Sequence, residues 1–200
     1  MRQLILIIVL LTGYFSIAQS QVIDILDDDG SAITDTYYKD ANNLLNPFEG
    51  TYIYTNGTTS FKIVLVKKVQ QFNGRYYEDL IIGEYQYIEN GIVKLNTLNE
   101  LNIVYNNQRV HNINGNTLIN NNNRAWQCPS CNIGEKRLRT TIRDASTNRF
   151  AKLFMRRTTE GGQEVMKINI TNISRTFHVE GQPTPPDFAL PIGEFTLIKQ

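Results

Sequence analysis

Apolar and polar residues alternate with a period of two over much of the chain. Leu138, Thr140 and Ile142 share one face of such a run, and its other face carries arginine and threonine. Because successive side chains of a strand point to opposite faces, this spacing predicts strands with one apolar side. The same pattern returns at residues 166–171 and 193–199, while helical periodicity is nearly absent. The pattern therefore predicts an all-β protein.

Turn sequences divide these runs. The dipeptide Asn-Gly, which favours two-residue hairpin turns, occurs at Asn56-Gly57, Asn73-Gly74, Asn90-Gly91 and Asn114-Gly115. Residues 51–55, 60–69, 76–88, 92–97 and 101–105 are rich in Tyr, Ile, Val, Phe and Thr, as strands prefer. Further strands are expected at 150–156 and on both sides of a turn at residues 160–163. Gly83, inside the longest run, predicts a bulge or a bend.

About nine or ten strands follow from this pattern, as an antiparallel meander. We expect the meander to close into a β-barrel, because closure leaves no exposed sheet edges. The expected organisation is a signal peptide at 1–18, an N-terminal segment with little regular structure at 19–47, and the barrel domain at 48–200.

Residues 1–18 have the organisation of a secretory signal peptide. Arg2 supplies a positive charge, residues 4–11 are uncharged and apolar, and Ser16-Ile17-Ala18 places small residues at the cleavage positions. A membrane anchor needs about 20 apolar residues, so we expect cleavage before Gln19 and no transmembrane anchor. The expected location is periplasmic or extracellular.

Charge and composition narrow the possible partners. The chain has 20 Lys+Arg and 19 Asp+Glu, and removal of Arg2 with the predicted signal peptide leaves equal numbers of each sign. Balanced charge argues against a general polyanion binder, so we expect no nucleic-acid partner. A hydrophobic fraction of 41% is sufficient for one core and excludes a disordered chain. The oligomeric state is left open.

Several segments resemble a known family. Residues 37–45 (YYKDANNLL), 46–52 (NPFEGTY), 83–91 (GEYQYIENG) and 194–199 (EFTLIK) are similar to small secreted proteins of unknown function from flavobacteria and other Bacteroidetes. In addition, Gly50-Thr51-Tyr52 resembles the Gly-x-Trp motif that opens lipocalin-like barrels, with Tyr in place of Trp. The first resemblance implies an exported protein without an established activity, and the second implies a lipocalin-like β-barrel.

Cys128 and Cys131 are the only cysteines of the chain. Their spacing is compatible with a disulfide, a redox-active pair or half of a zinc site. In an oxidising compartment a structural disulfide is favoured. A thioredoxin-type pair needs a helix N-terminus after the first cysteine, and the flanking sequence here predicts a loop and a strand.

Metal and catalytic motifs are sparse. The acidic run ending at Asp29-Gly30 lacks the flanking oxygen ligands of a calcium loop, and His111 and His178 are the only histidines. No Gly-x-Ser-x-Gly or His-Glu-x-x-His motif is present. We therefore expect no metal site, no cofactor and a non-enzymatic protein, with thiol-disulfide activity through the two cysteines as the remaining enzymatic alternative.

Two sets of side chains are candidates for binding. Five aromatic residues could line a ligand site inside the barrel or fill it as core: Tyr52, Tyr54, Phe61, Tyr85 and Tyr87. Eight cationic residues between 136 and 157 could face an anionic envelope component or form solvated strand faces. We expect a binding protein for a small apolar or amphipathic ligand. The alternative is an envelope or extracellular protein-interaction module that uses charged strand faces and the Asn-rich loop at 106–124.

Overall fold

The computed structural model describes residues 20–175, 181 and 183–200, and it confirms the all-β class. The predicted signal peptide and its cleavage position lie outside these residues. The strands are β1 (Val22–Asp24), β2 (Tyr37–Lys39), β3 (Gly50–Asn56), β4 (Thr59–Phe72), β5 (Tyr77–Glu89), β6 (Ile92–Asn96), β7 (Ile113–Ile119), β8 (Arg137–Arg143), β9 (Phe150–Glu160), β10 (Gln163–Thr171) and β11 (Gly193–Lys199). Short 3₁₀ helices cover Asn46–Phe48, Leu98–Glu100 and Gln108–Val110.

Eight strands close the predicted barrel, in the order β5-β4-β3-β11-β10-β9-β8-β7 and back to β5. All eight contacts between neighbouring strands are antiparallel. Closure depends on two pairings that are remote in sequence. In one, β11 joins β3 through Ile198 and Ile53, and in the other β5 joins β7 through Ile81 and Gly115.

Three short strands lie outside the closed barrel. β6 pairs with the last residues of β5, beyond the segment of β5 that pairs with β7. β2 adds in parallel to the beginning of β5, and β1 adds in parallel to β2. The segment before residue 48 therefore extends the sheet with two three-residue strands. No helix among the described residues is both long and apolar enough to cross a membrane.

Three of the four Asn-Gly pairs lie at hairpin turns, as predicted. Asn90 and Gly91 are the two central residues between β5 and β6, with φ of 52° and 76°, as a type I′ turn requires. Asn56 is the last residue of β3, and Gly57 (φ 58°) begins the turn itself. Asn73 starts the four-residue connection from β4 to β5, and its side-chain oxygen accepts from the Arg75 and Tyr76 N–H groups of the same connection.

Two expectations for the region after β6 are wrong. Asn114 and Gly115 lie inside β7, where Asn114 pairs with Thr141 and is buried. Gly115 has φ 147°, and a Cβ there would be 3.0 Å from the Cα of Thr140, so the glycine permits close strand approach rather than a turn. Residues 101–105 form a turn followed by irregular chain instead of a strand, and Val104 is 85% exposed, because β6 and β7 already occupy this edge of β5.

The barrel interior is filled by one core cluster to which all eight barrel strands contribute. We call the end with the turns after β3, β5 and β8 the upper end, and the opposite end the lower end. Phe188 and Leu190, from the connection between β10 and β11, join the core from the upper end. Leu45 and Phe48, which precede β3, join it from the lower end. Segments outside the strands thus cover both ends.

Candidate functional site

The five aromatic residues predicted to line the barrel come together on its inner face. Cross-strand pairing places Tyr52 and Tyr85 opposite the same β4 residue, and Tyr54, Phe61 and Tyr87 form the adjacent row. Tyr52, Phe61 and Tyr85 have 0% exposure and Tyr87 has 7%, while Tyr54 is half-buried against the core. The side chains thus form one cluster, and they occupy the interior as core.

Three of the four tyrosine hydroxyls of this cluster, those of Tyr52, Tyr85 and Tyr87, have hydrogen-bond partners within the protein. The Tyr85 hydroxyl donates to the Arg143 carbonyl at 2.7 Å and accepts from the Ala145 N–H at 3.0 Å. The Tyr52 hydroxyl donates to the Glu49 carbonyl at 3.1 Å. Burial raises the pKa of Tyr52 to about 12, and it raises that of Tyr85 further. The hydroxyls therefore stay protonated at neutral pH and hold the wall of the barrel together.

A surface cleft lies at the lower end, between the segment before β3, residues 134–136 just before β8, and the end of β9. Its volume is about 420 Å³, which lies in the range of roughly 300 to 1,000 Å³ common for small-molecule sites. We call it the lower cleft, and it is lined by Leu44, Pro47, Phe48, Gly134, Lys136, Arg157, Thr158 and Thr159. The cleft combines an apolar side with two cations and two hydroxyls.

The lower cleft carries positive charge. Arg157 forms an ion pair with Glu164, which also binds the Lys199 ammonium at 2.7 Å. These two cations, Lys199 first, hold the pKa of the Glu164 carboxyl below its usual value. Lys136 binds the Asn120 side-chain oxygen at 2.7 Å and has no carboxylate within 4.0 Å among the described residues. Lys136 is therefore the cation of the cleft that is available to an anionic ligand.

The cationic segment at 136–157 does not form one open surface. Arg156 binds both carboxylate oxygens of Glu135, and Arg149 donates to the carbonyls of Ser174 and Pro186. Arg137 is entirely buried. These cations hold loops onto the barrel, which the alternation of the sequence did not indicate.

Cys128 and Cys131 are bonded to each other, with a sulfur–sulfur distance of 2.11 Å and Cα atoms 5.3 Å apart. They lie in the connection between β7 and β8, which we call the disulfide loop (residues 120–136). Trp126 of this loop contacts Phe154 and donates to the Glu194 carboxylate at 2.8 Å. The disulfide loop thus crosses the outside of the barrel from β8 to β11.

A buried polar cluster on the outer side of β5 was not predicted from the sequence. The Glu84 carboxylate contacts His111 Nδ1 at 2.8 Å and accepts from the Asn112 amide at 2.7 Å. Arg143 Nε donates to the side-chain oxygen Oδ1 of Asn112 at 2.9 Å. Burial raises the pKa of Glu84, but hydrogen bonds from His111, Thr97 and Asn112 together outweigh burial and lower it. This cluster fixes the connection from β6 to β7.

Metal ligands are not gathered at one place in the described part of the chain, where no group of three His, Cys, Asp or Glu side chains is suitable for a metal. His111 is buried with Glu84, and His178 lies outside the described residues. The sequence offered no periodicity by which Glu84 or Arg137 could be recognised as buried.

The fold and its surface define the class of this protein as a closed eight-stranded antiparallel β-barrel with a filled interior and a disulfide loop on its outer wall. The chain belongs to the Family of unknown function (DUF6705), which matches residues 1–200. Membership in a family of unknown function is therefore confirmed. No curated protein and no solved structure matches the chain.

Proposed function

We propose that the protein is a non-enzymatic binding protein for a small amphipathic molecule with an anionic head, held in the lower cleft. The observation that carries the proposal is the composition of this cleft, in which Leu44 and Phe48 face Lys136 and Arg157. An apolar surface beside a lysine without a carboxylate partner suits a ligand with a hydrocarbon tail and a carboxylate or phosphate head.

The packing of the interior supports the lower cleft over the inside of the barrel. Tyr52, Phe61 and Tyr85 are completely buried in the interior, and the Tyr85 hydroxyl already has both a hydrogen-bond donor and an acceptor. A ligand inside the barrel would have to displace these side chains and their hydrogen bonds. Binding in the lower cleft leaves the core unchanged.

The non-enzymatic part of the proposal rests on the placement of the candidate reactive groups. His111 is buried against Glu84, and Cys128 and Cys131 are bonded to each other. His111, Cys128 and Cys131 do not line the lower cleft, so a ligand bound there does not contact a candidate nucleophile or base.

We also propose that the protein is exported, and that it comes from a bacterium of the Bacteroidetes. The signal-peptide pattern at 1–18 and the family resemblance support export, and the disulfide is compatible with an oxidising compartment. N-terminal sequencing of native protein should find a start at or close to Gln19. An intact Met1 would contradict export by this route.

Binding of dodecanoate tests the ligand class. Isothermal titration calorimetry should show tighter binding of dodecanoate than of uncharged dodecanol or cationic dodecyltrimethylammonium. Lys136→Gln should weaken dodecanoate binding about tenfold, because it removes a charge-assisted contact. Lys94→Gln is the matched control, since Lys94 lies on β6 and is paired with Glu89. Equal binding by both variants, or no binding to wild type, would refute the proposal.

A second variant distinguishes the lower cleft from the interior. Tyr54 is half-buried and packs against Phe195, toward the upper end of the barrel. Tyr54→Ala should leave dodecanoate affinity unchanged if the ligand occupies the lower cleft. Loss of binding in Tyr54→Ala with retention in Lys136→Gln would move the site into the barrel.

A further inference from the structure

Arg137 is the largest fully buried side chain of the described protein. It is the first residue of β8, and it points outward because its neighbour Leu138 belongs to the barrel core. The disulfide loop covers it, and the Arg137 guanidinium carbon lies 4.9 Å from the centre of the Trp126 ring. A permanently charged group is thereby removed from water between the barrel wall and the loop.

Most of the hydrogen-bond donors of Arg137 have no acceptor in the part of the chain that the structure describes. Nη2 donates to the Asn120 carbonyl at 2.8 Å and lies 3.4 Å from the Asn121 carbonyl. Nε and Nη1 are buried and have no partner among the described residues. A guanidinium carries five N–H groups, and three of them belong to Nε and Nη1. Buried donors without acceptors are unfavourable, and more so when they are charged.

Among the described residues, no carboxylate forms an ion pair with Arg137. Glu135 is the acidic residue nearby, and both of its carboxylate oxygens are bonded to Arg156. Burial first, and then the charge of Arg156, lower the pKa of Arg137, while Glu135 acts in the opposite direction. Arginine nevertheless stays protonated in proteins. Burying a cation without a paired anion is strongly unfavourable.

We propose that Arg137 holds a small monovalent inorganic anion of the size of chloride or bromide, in contact with Nε or Nη1 beneath the disulfide loop. One anion supplies an acceptor to one of these two nitrogens and also the missing negative charge. A water molecule would accept the hydrogen bonds but leave the charge uncompensated, and the neutral Trp126 ring brings no negative charge. Arg137 does not line the lower cleft, although Gly134 and Lys136 of the disulfide loop do.

Bromide provides a direct test on the unaltered protein. Crystals grown or soaked in sodium bromide should give an anomalous peak within hydrogen-bond distance of Arg137 Nε or Nη1. A water molecule or no density at this position, with no anomalous signal, would overturn the proposal. This measurement does not depend on whether a variant folds.

Thermal unfolding provides the second test. At constant ionic strength, with gluconate replacing chloride, Tm of wild type should rise by roughly 3 to 6 °C per tenfold increase in chloride near saturation. Arg137→Met should abolish this dependence. Arg139→Met is the control on the same outward face of β8, and it should retain the dependence because Arg139 lies outside the covered site. Equal chloride dependence in all three proteins would refute a site at Arg137.

Discussion

Tyr85 links the core of the barrel to its upper end through a single side chain. Its ring lies in the core beside Phe61, and its hydroxyl reaches the backbone just beyond β8. Tyr52 has a similar ring position but a single hydroxyl contact, to the backbone before β3. Tyr85 and Tyr52 are therefore equally buried, but the Tyr85 hydroxyl makes more hydrogen bonds to the surrounding backbone.

Tyr85→Phe should destabilise the protein more than Tyr52→Phe. Tyr85→Phe removes two hydrogen bonds and leaves the partly buried Ala145 N–H without its acceptor, which predicts a loss of about 1 to 3 kcal/mol. Tyr52→Phe removes one longer bond to the Glu49 carbonyl, and about 1 kcal/mol is expected. Urea unfolding at neutral pH measures both values. A larger loss for Tyr52→Phe would contradict this account.

Strand β5 has the most neighbours of any element, because it pairs with β4 along its length and with β2, β7 and β6 in turn. Gly83 lies at the last pair with β7, and the register with β4 runs through it without a shift. The predicted bulge is therefore absent at Gly83. The glycine instead allows β4 to approach, since a Cβ there would lie 2.6 Å from the Val64 carbonyl oxygen.

Gly83→Ala should be strongly destabilising. The clash with the Val64 carbonyl involves backbone that cannot rotate away, so about 3 kcal/mol is expected. Gly57→Ala is the control, because nothing lies within 4 Å of a Cβ at Gly57 and only the strain of φ 58° is added, about 1 kcal/mol. Chemical denaturation of the two variants gives the comparison. Similar losses would show that the space at Gly83 is not limiting.

The disulfide loop is the second element whose role can be measured. Cys128→Ser with Cys131→Ser should lower the free energy of unfolding by only about 1 to 2 kcal/mol, because the bond closes a very short loop. Trp126 is the only tryptophan and lies in this loop, so its fluorescence reports local loosening. Native protein should contain no free thiol. Rapid insulin reduction that disappears in the double variant would instead support the thiol-disulfide enzyme.

At the scale of the whole molecule, buried carboxylates connect the barrel to its connecting segments. Asp144 accepts from Ser146 and Thr147 in the turn after β8 and from the Ala189 N–H at 2.6 Å. Glu84 has the same role for the connection before β7. Burial raises the pKa of Asp144, but these hydrogen bonds outweigh burial and lower the pKa overall.

Stability should fall in acid because Asp144 and Glu84 have lowered pKa values in the folded state. Their contribution is complete above the unfolded pKa values of 3.8 and 4.5, and it is lost as pH falls through the lower folded values. Asp144→Asn should cost about 1 to 3 kcal/mol at pH 7 and less near pH 3. Asp187→Asn, at an exposed side chain, is the control. Urea unfolding of wild type and both variants between pH 3 and pH 7 measures these losses. A loss for Asp144→Asn that does not change with pH would contradict the prediction.

The sequence by itself determined the local structure of the turns and strands and the all-β class of this protein. Asn90-Gly91 and Gly161-Gly162 adopt the positive φ that their turns need, and alternation placed Tyr52 with Tyr54 and Tyr85 with Tyr87 on shared faces. These properties depend on residues that are close in sequence, so short segments are sufficient to predict them. The same reading failed at Asn114, where the partner strand decides the conformation.

Only the tertiary structure decided which faces are covered. The pairing of β3 with β11 and of β5 with β7 joins strands that are distant in sequence, and no local pattern encodes their meeting. Once closed, the barrel brings loops over its outer wall, so Arg137 and Glu84 are buried although each lies on an outward face. From sequence alone, charged side chains at outward strand positions are expected to be exposed to solvent. Their burial, and the lower cleft, arise because a closed sheet fixes where its connections pack.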